Sequence, residues 1–324
     1  DDISCLVGSE MCIRDSNYSL ESRASRLGFK GSEDLGNGLK AIYQAEFSVQ
    51  TDGNESSNYG QDGGDGWGGQ RNTFLGLSSD WGTLLAGRHD TPAKVAFYAA
   101  GTEILADSVI DLNRGNTLSA GRSRLAPIGV FSEYRADNAV AYVSPKFAGF
   151  TAIGAFIPGE DRSTDESKEG DSWADHWSGG LTFGSNAFKA SLGYQETKVD
   201  DVKQKLWQVG GSADLFDAFK LGAHYENTDN FGQIDDADYE AWAVSGKWRF
   251  GNNAIGAVYT NADLKREGDP GYKTDGWGLS GEHNFSKRTK VYAAYADNKL
   301  KPQSTNEEDD ASDKVFSLGM IHSF

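Results

Sequence analysis

Cysteine is almost missing from this chain. There are two, Cys5 and Cys12, both in the first short segment, and none follows them. Disulfides therefore do not frame the fold. Proline is scarce too, with 6 in 324 residues. No stretch approaches the ~18 consecutive apolar residues that a membrane-spanning helix needs. That excludes a helical membrane bundle but not a membrane β-barrel, whose lipid face hides in alternation and leaves mean hydropathy low; here it is -0.56. Positive charge is in deficit, with 31 Lys and Arg against 48 Asp and Glu, a formal net charge of -17. No basic stripe is available to neutralise phosphates, so nucleic acid is not an expected partner. Catalytic signatures are lacking as well. There is no Gly-x-Ser-x-Gly elbow and no His-Glu-x-x-His. The five histidines, His89, His176, His224, His283 and His322, are scattered. The chain reads as a non-enzyme. No signal peptide is readable either, because Asp1-Asp2-Ile3 lacks a basic start and an apolar core. The expectation is a mature or N-terminally altered form.

What is present is glycine, 40 residues, and 12% aromatics, set in one rhythm from about Ser25 onward. Segments of roughly ten alternating residues are separated by turns. In Leu39 to Gln50, Leu39, Ala41, Tyr43, Ala45, Phe47 and Val49 make one face and mostly polar residues the other. Phe188 to Gln195 and Phe219 to Glu226 alternate likewise. A soluble sandwich also alternates. Strand length and aromatics recurring near strand ends favour a membrane barrel with interfacial girdles.

Two kinds of connection take turns along the chain. Asp34 to Gly38, Ser79 to Gly82, Pro145 to Gly149, Gly184 to Asn186, Phe216 to Ala218, Gly251 to Asn253 and Ser286 to Arg288 are short and carry turn-forming residues. Thr51 to Gln70, Lys94 to about Gly129, Gly159 to Asp171, Asp229 to Asp238, Lys265 to Lys273 and Lys301 to Asp313 are long and, taken together, rich in Asp, Glu, Gly and Ser. This is an all-β, antiparallel up-and-down barrel with a short-turn rim and a long-loop rim. Counting from Ser25 gives about fifteen strands, and single-chain bacterial barrels have an even number. About sixteen are expected, so the missing one is the first.

The chain's last residues sharpen this. Phe316, Leu318, Met320, His322 and Phe324 share one face, and the chain stops on the aromatic. Terminal residues usually fray. A flush aromatic end implies a last strand paired with the first, which removes both edges. Residues 1–16 do not alternate like the rest. Cys5 to Ser16 also resembles a translated sequencing-adapter artefact. The expectation is a non-native segment, residues 1–16, in place of the native first strand, and a single barrel domain over 17–324.

Ser25-Arg-Leu-Gly-Phe-Lys30 through Phe47, Arg71 to Leu77, Gly82 to Arg88, Asn138 to Pro145 and terminal Phe324 resemble the general porins of Gram-negative bacteria. The resemblance covers nearly the whole chain after residue 17. It implies a sixteen-stranded outer-membrane barrel, usually a homotrimer, admitting small hydrophilic solutes, with no cofactor. It implies outer-membrane lipid, lipopolysaccharide and the barrel-assembly machinery as partners, with Phe324 in the assembly signal. It also implies that the third loop, about 94–129, folds into the lumen. The loop's own composition agrees, because Val95, Phe97, Tyr98, Ile104 and Leu105 need a wall to pack against. Its acids Glu103, Asp107 and Asp111 are the candidate acidic side of a constriction. The matching motifs put Arg26, Lys30, Arg88 and Arg135 on the opposite wall, with Arg122 and Arg124 of the loop itself as further candidates for it. Charges facing each other across a narrowing make a transverse field that favours polar solutes.

The net charge points to cations, but exposed loop charges are screened beyond about 10 Å at 0.1 M salt, so the constriction should set selectivity. Glu307 to Asp310 and Asp235 to Asp238 lack the pattern of a calcium loop and read as solvated tips, with divalent bridging to lipopolysaccharide phosphates as their one candidate contact. A substrate-selective porin for an anion or small nutrient is an alternative function. An adhesin or anchor barrel with a plugged lumen is a second.

Overall fold

The computed structural model describes residues 2–14, 17–49, 67–113, 127–132, 134–158, 176–199, 202–266, 269–302 and 311–324. Among them are β1 (Asp2–Arg14), β2 (Asn17–Ser22), β3 (Arg26–Gly36), β4 (Leu39–Val49), β5 (Trp67–Ser79) and β6 (Gly82–Asp90). A helix, α1 (Pro92–Ala100), follows. Then come β7 (Arg135–Val143), β8 (Phe150–Ile157), β9 (His176–Gly184), β10 (Phe188–Val199), β11 (Val202–Leu215) and β12 (Phe219–Asp229). The last are β13 (Ala237–Phe250), β14 (Asn253–Arg266), β15 (Asp269–Asn284), β16 (Thr289–Pro302) and β17 (Ala311–Ser323).

From β3 to β17 each strand pairs antiparallel with the next. β17 then pairs with β1, from Leu6 opposite Ser323 to Ile13 opposite Phe316. On its other side β1 meets β2 (Arg14 opposite Asn17) and then β3 (Leu6 opposite Arg26). β2 and β3 thus act as one strand broken at Arg23 to Ser25, where Ala24 has φ 45°. The sheet closes with sixteen strand positions.

Residues 1–16 are expected to be a non-native segment in place of the native first strand. In the structure the β1 backbone takes the closing position. Ladder pairing joins backbone N–H and C=O groups, which every non-proline residue carries. An unpaired β17 edge and an unpaired β3 edge are a template for any extended stretch of sufficient length. Alternation decides which face a side chain takes, not whether the backbone pairs.

One face of the sheet is a band of exposed apolar side chains. Leu75 is 70% exposed, and Leu192, Val209, Leu221, Val244, Ile255, Leu279 and Leu318 are exposed as well. A soluble monomer rarely shows so continuous an apolar surface; a lipid face requires it. Toward the long-loop ends the band carries tryptophan and tyrosine in turn. Tyr194 sits opposite Trp207, Tyr225 opposite Trp242 and Tyr259 opposite Trp277. Ring contacts continue the belt, with Trp177 4.7 Å from Tyr194, Trp207 5.1 Å from Tyr225, Trp242 5.4 Å from Tyr259 and Trp277 5.3 Å from Tyr295. Their hydroxyls donate outward along the strands, Tyr225 to Glu240 at 3.0 Å and Tyr259 to Asp275 at 2.9 Å. Apolar rings with a polar tip suit a membrane–water interface. No helix among the described residues is long and apolar enough to cross a membrane.

The other face is polar or small. On β13, Ala237, Tyr239, Ala241, Ala243 and Ser245 are buried in alternation with the outward set. What buries them is the chain after β6.

Candidate functional site

The long segment following β6 was read as a loop; it begins with a helix. Thr91 caps α1, its Oγ1 accepting from Lys94 N at 3.3 Å. Pro92 takes the first position, and Gly101 ends the helix at φ 70°, a conformation that favours glycine. Ala93, Ala96, Phe97 and Ala100 fall on one helical face and are buried. That face packs on β9 to β12.

Polar anchors fix it there. Ala93 N donates to Ser178 Oγ at 3.0 Å, and Gln208 Nε2 donates to Ala93 O at 2.7 Å. Gln208 Oε1 is therefore the acceptor for His224 Nε2 at 2.7 Å, so His224 carries its proton on Nε2. The Phe97 ring lies 4.7 Å from His224 and 5.2 Å from Phe131. Beyond the helix, Thr102 Oγ1 donates to Ala223 O at 3.2 Å, and Ser245 Oγ donates to Thr102 O at 2.6 Å. The wall leaves room: a Cβ on Gly180 would lie 2.7 Å from Pro92 O, and one on Gly222 2.9 Å from Thr102 Cα. The returning stretch is pinned by Tyr239 OH to Val130 O at 2.6 Å and by Ser132 N to Glu226 Oε2 at 3.0 Å. Ile104, Leu105, Val109, Ile110, Leu112, Ile128, Val130 and Phe131 form an apolar core with Ala241, Val258, Ala294 and Val315 of the strands.

Two of the three predicted loop acids brace this segment. Asp111, 3% exposed, accepts from Asp107 N at 2.6 Å and from Asn113 N at 2.7 Å. Glu103 Oε2 accepts from Leu112 N at 3.1 Å. Asp107 is half-buried and holds φ 59°. Burial, then the neighbouring Asp107, push the Asp111 carboxyl up to about 6, against its backbone hydrogen bonds and the nearby Arg23. Burial and the Asp111 charge push Glu103 well above the carboxylate range.

A raised carboxyl binds more protons in the packed loop than in a released one, so packing weakens as pH rises through this range. Loop packing should therefore tighten as pH falls from 7 toward 5. Loop-derived current noise in bilayer recordings is expected to decrease over that interval, and Asp111→Asn should flatten the dependence. Noise rising on acidification in the wild type would contradict it.

Beside the N-terminal end of α1 lies the basic wall. Arg71 Nε meets Glu46 Oε1 at 2.5 Å, with Arg26 Nε 3.9 Å from the same carboxylate. Asp90 gathers Lys94 at 3.1 Å, Arg135 at 3.1 Å and Asn72 Nδ2 at 2.8 Å. Arg135 also donates to Asn72 Oδ1 at 2.9 Å and lies within electrostatic reach of Arg71 and of Tyr98 on α1. Arg88 is ion-paired with Asp137, and its Nε donates to Gln70 O at 2.9 Å. Five cations (Arg26, Arg71, Arg88, Lys94, Arg135) thus face three carboxylates (Glu46, Asp90, Asp137), an excess of two positive charges.

Of the predicted basic residues, the structure brings Arg26 and Arg135 to this wall, places Arg88 beside it with Asp137, and leaves Lys30 exposed on β3. Arg122 and Arg124 lie outside the described residues, as do Glu307 to Asp310. Phe324 is exposed, its ring 4.6 Å from His322. Sequence reasoning missed Arg71, Lys94, Glu46 and Asp90. It also missed α1, though Thr91-Pro92 and Gly101 are helix start and stop signals.

Comparison with known proteins gives concordant matches. A family model described as Gram-negative porin matches residues 14–303. The major outer membrane protein P.IB of Neisseria meningitidis serogroup A is 26% identical over 297 residues, 88% of this chain and 79% of that protein. P.IA of Neisseria meningitidis serogroup C is 32% identical over 141 residues, 42% of this chain and 29% of that protein; in that match the chain spans less than a third of its relative. Among solved structures, an anion-selective porin from Comamonas acidovorans superposes with TM-score 0.75 at 22% identity, covering 100% of this chain and 99% of that one. OmpT of Vibrio cholerae in its trimer form does so with TM-score 0.70 at 17% identity, covering 100% and 98%.

Proposed function

The chain belongs to the Gram-negative porin family, and on that premise we propose that it is a passive diffusion channel for small hydrophilic solutes and ions in the bacterial outer membrane. A barrel of sixteen positions is wide enough to hold an aqueous lumen. With the apolar face turned to lipid, the polar face lines that lumen. The observation that carries the reading is α1 and its continuation, anchored across β9 to β13 on the polar face, with Lys94 of α1 and Arg135 sharing Asp90. The segment narrows the lumen to a passage between itself and the arginines of β3 to β7. Charge at that passage orients dipolar solutes and excludes lipophilic ones.

The excess of positive charge favours anions in the passage, although the whole chain is acidic. The anion-selective porin from Comamonas acidovorans, which shares the fold, is in keeping with that preference. The trimeric OmpT form supports a homotrimer. Lipopolysaccharide is the expected partner of the acidic outer residues above the aromatic belt, and Phe324 the expected handle for the barrel-assembly machinery. β1, Asp2–Arg14, acts as a non-native filler of the first strand position; exchanging it for an alternating strand should raise barrel stability, read as the temperature at which the heat-modifiable band disappears.

Liposome swelling tests the function. Vesicles containing the protein should swell in isotonic pentose and hexose solutions, at rates that fall with solute size. Swelling no faster than in protein-free vesicles would leave the plugged anchor barrel as the better reading.

A further inference from the structure

We propose that the inner wall between the third loop and the short-turn rim holds a site for a small oxyanion, a phosphate or carboxylate group, formed by Lys189, Lys220 and Ser212. The site rests on the channel reading, because the ligand reaches it through the lumen.

The strand register creates the need for it. Lys220 of β12 and Lys247 of β13 are direct cross-strand partners, and like charges so placed repel. Lys247 is answered by Glu282 and by Ile104 O, which accepts from its Nζ at 2.8 Å. Arg249, two residues on, is held by Asp214 at 2.9 Å. Asp214 is the cross-strand partner of Lys220 on its other side but is engaged by Arg249, and no carboxylate lies within ion-pair distance of Lys189 or Lys220 among the described residues.

Both lysine side chains run past the C-terminal end of α1, beside Gly101. A Cβ on Gly101 would stand 3.1 Å from Lys220 Nζ, 3.2 Å from Lys189 Cδ and 2.8 Å from Ser212 Oγ. Ser212 is the cross-strand partner of Lys189. It is 7% exposed, and its hydroxyl has no hydrogen-bond partner among the described residues. A buried hydroxyl without a partner is costly. Two ammonium groups and a free hydroxyl are donors that an oxyanion satisfies together. The C-terminus of α1 contributes only about half a negative charge there, less than the two lysines carry. A side chain at Gly101 would collide with the hydroxyl and with both lysine arms.

The test uses the full protein in planar bilayers, with inorganic phosphate titrated against a fixed potassium chloride background. Phosphate should reduce the chloride current saturably. Lys189→Gln/Lys220→Gln should raise the half-blocking concentration about tenfold, as expected when charge-assisted hydrogen bonds are lost. The Lys189→Arg/Lys220→Arg pair should retain the wild-type value. An unaltered half-blocking concentration in the Gln pair, or no phosphate effect on wild type, overturns the site.

A second measurement needs no variant. Phosphate should slow acetylation of Lys189 and Lys220 by acetic anhydride, read by mass spectrometry against Lys146 in an exposed turn. Equal slowing at all three lysines overturns the site. If no conductance steps appear at all, the channel reading falls, and the acetylation result alone decides whether the lysines hold phosphate.

Discussion

Arg135→Glu should move the channel toward cations, lowering the anion-over-cation permeability ratio on the order of tenfold. The estimate is Coulombic. A unit charge about 4 Å from a passing ion is worth about 1 kcal/mol in water and more near protein, and charge reversal counts twice. Arg135 is the residue for this test because it pairs with Asp90, which in turn holds Lys94 of α1. Lys94 and Asn72 still hold Asp90 when it is gone. Partly exposed ion pairs contribute little to stability, so the variant should fold and keep its heat-modifiable mobility. Reversal potentials in a salt gradient check it, and an unchanged ratio in a folded variant would remove Arg135 from the passage.

Phe97→Ala should have the largest effect on the loop itself. Phe97 is 1% exposed and its ring touches both His224 and Phe131. Emptying such a site costs about 3–5 kcal/mol. That sum is concentrated in the loop, because the barrel is held by its ladder rather than by this core. The expected result is a barrel that still closes but whose third loop is released from β9 to β12. Single-channel conductance should rise, current noise should increase, and the 92–113 segment should become open to protease in detergent. A quiet channel of wild-type conductance would mean that the segment does not set the narrowing. Loss of the folded barrel would mean that the core supports the wall as well as the loop.

How much of this could be read beforehand depends on range. The strands were legible because alternation is local: Leu39 to Gln50 was read and β4 runs Leu39–Val49. The Asp34 to Gly38 turn was legible because Asn37 and Gly38 take positive φ, 53° and 77°, which their residue types announce. Loop 3 was legible as apolar, but not as a helix lying on β9 to β12, because the surfaces it needs are far away in sequence.

The arginine wall was half legible for a geometric reason. Ala45 opposes Thr73 and Phe47 opposes Gln70, so Arg71 and Asn72 together face Glu46. A bulge of this kind breaks the period of two, and counting back from Phe74 hides Arg71. Asp111 misled in the opposite way. Its type and place suit a pore wall, but only the folded loop shows its oxygens turned to the N–H groups of Asp107 and Asn113. The small inner residues of β13 to β16 are the overlooked signal. Ala241, Ala243, Ala294 and Ala296 are buried in the inward phase of long strands, which marks where something packs inside.

The most direct test of a basic passage inside an acidic protein is the sign of the zero-current potential of the wild-type channel across a potassium chloride gradient. Discrete conductance steps and a potential of anionic sign are expected. A potential of cationic sign, following the net charge of -17, would contradict it.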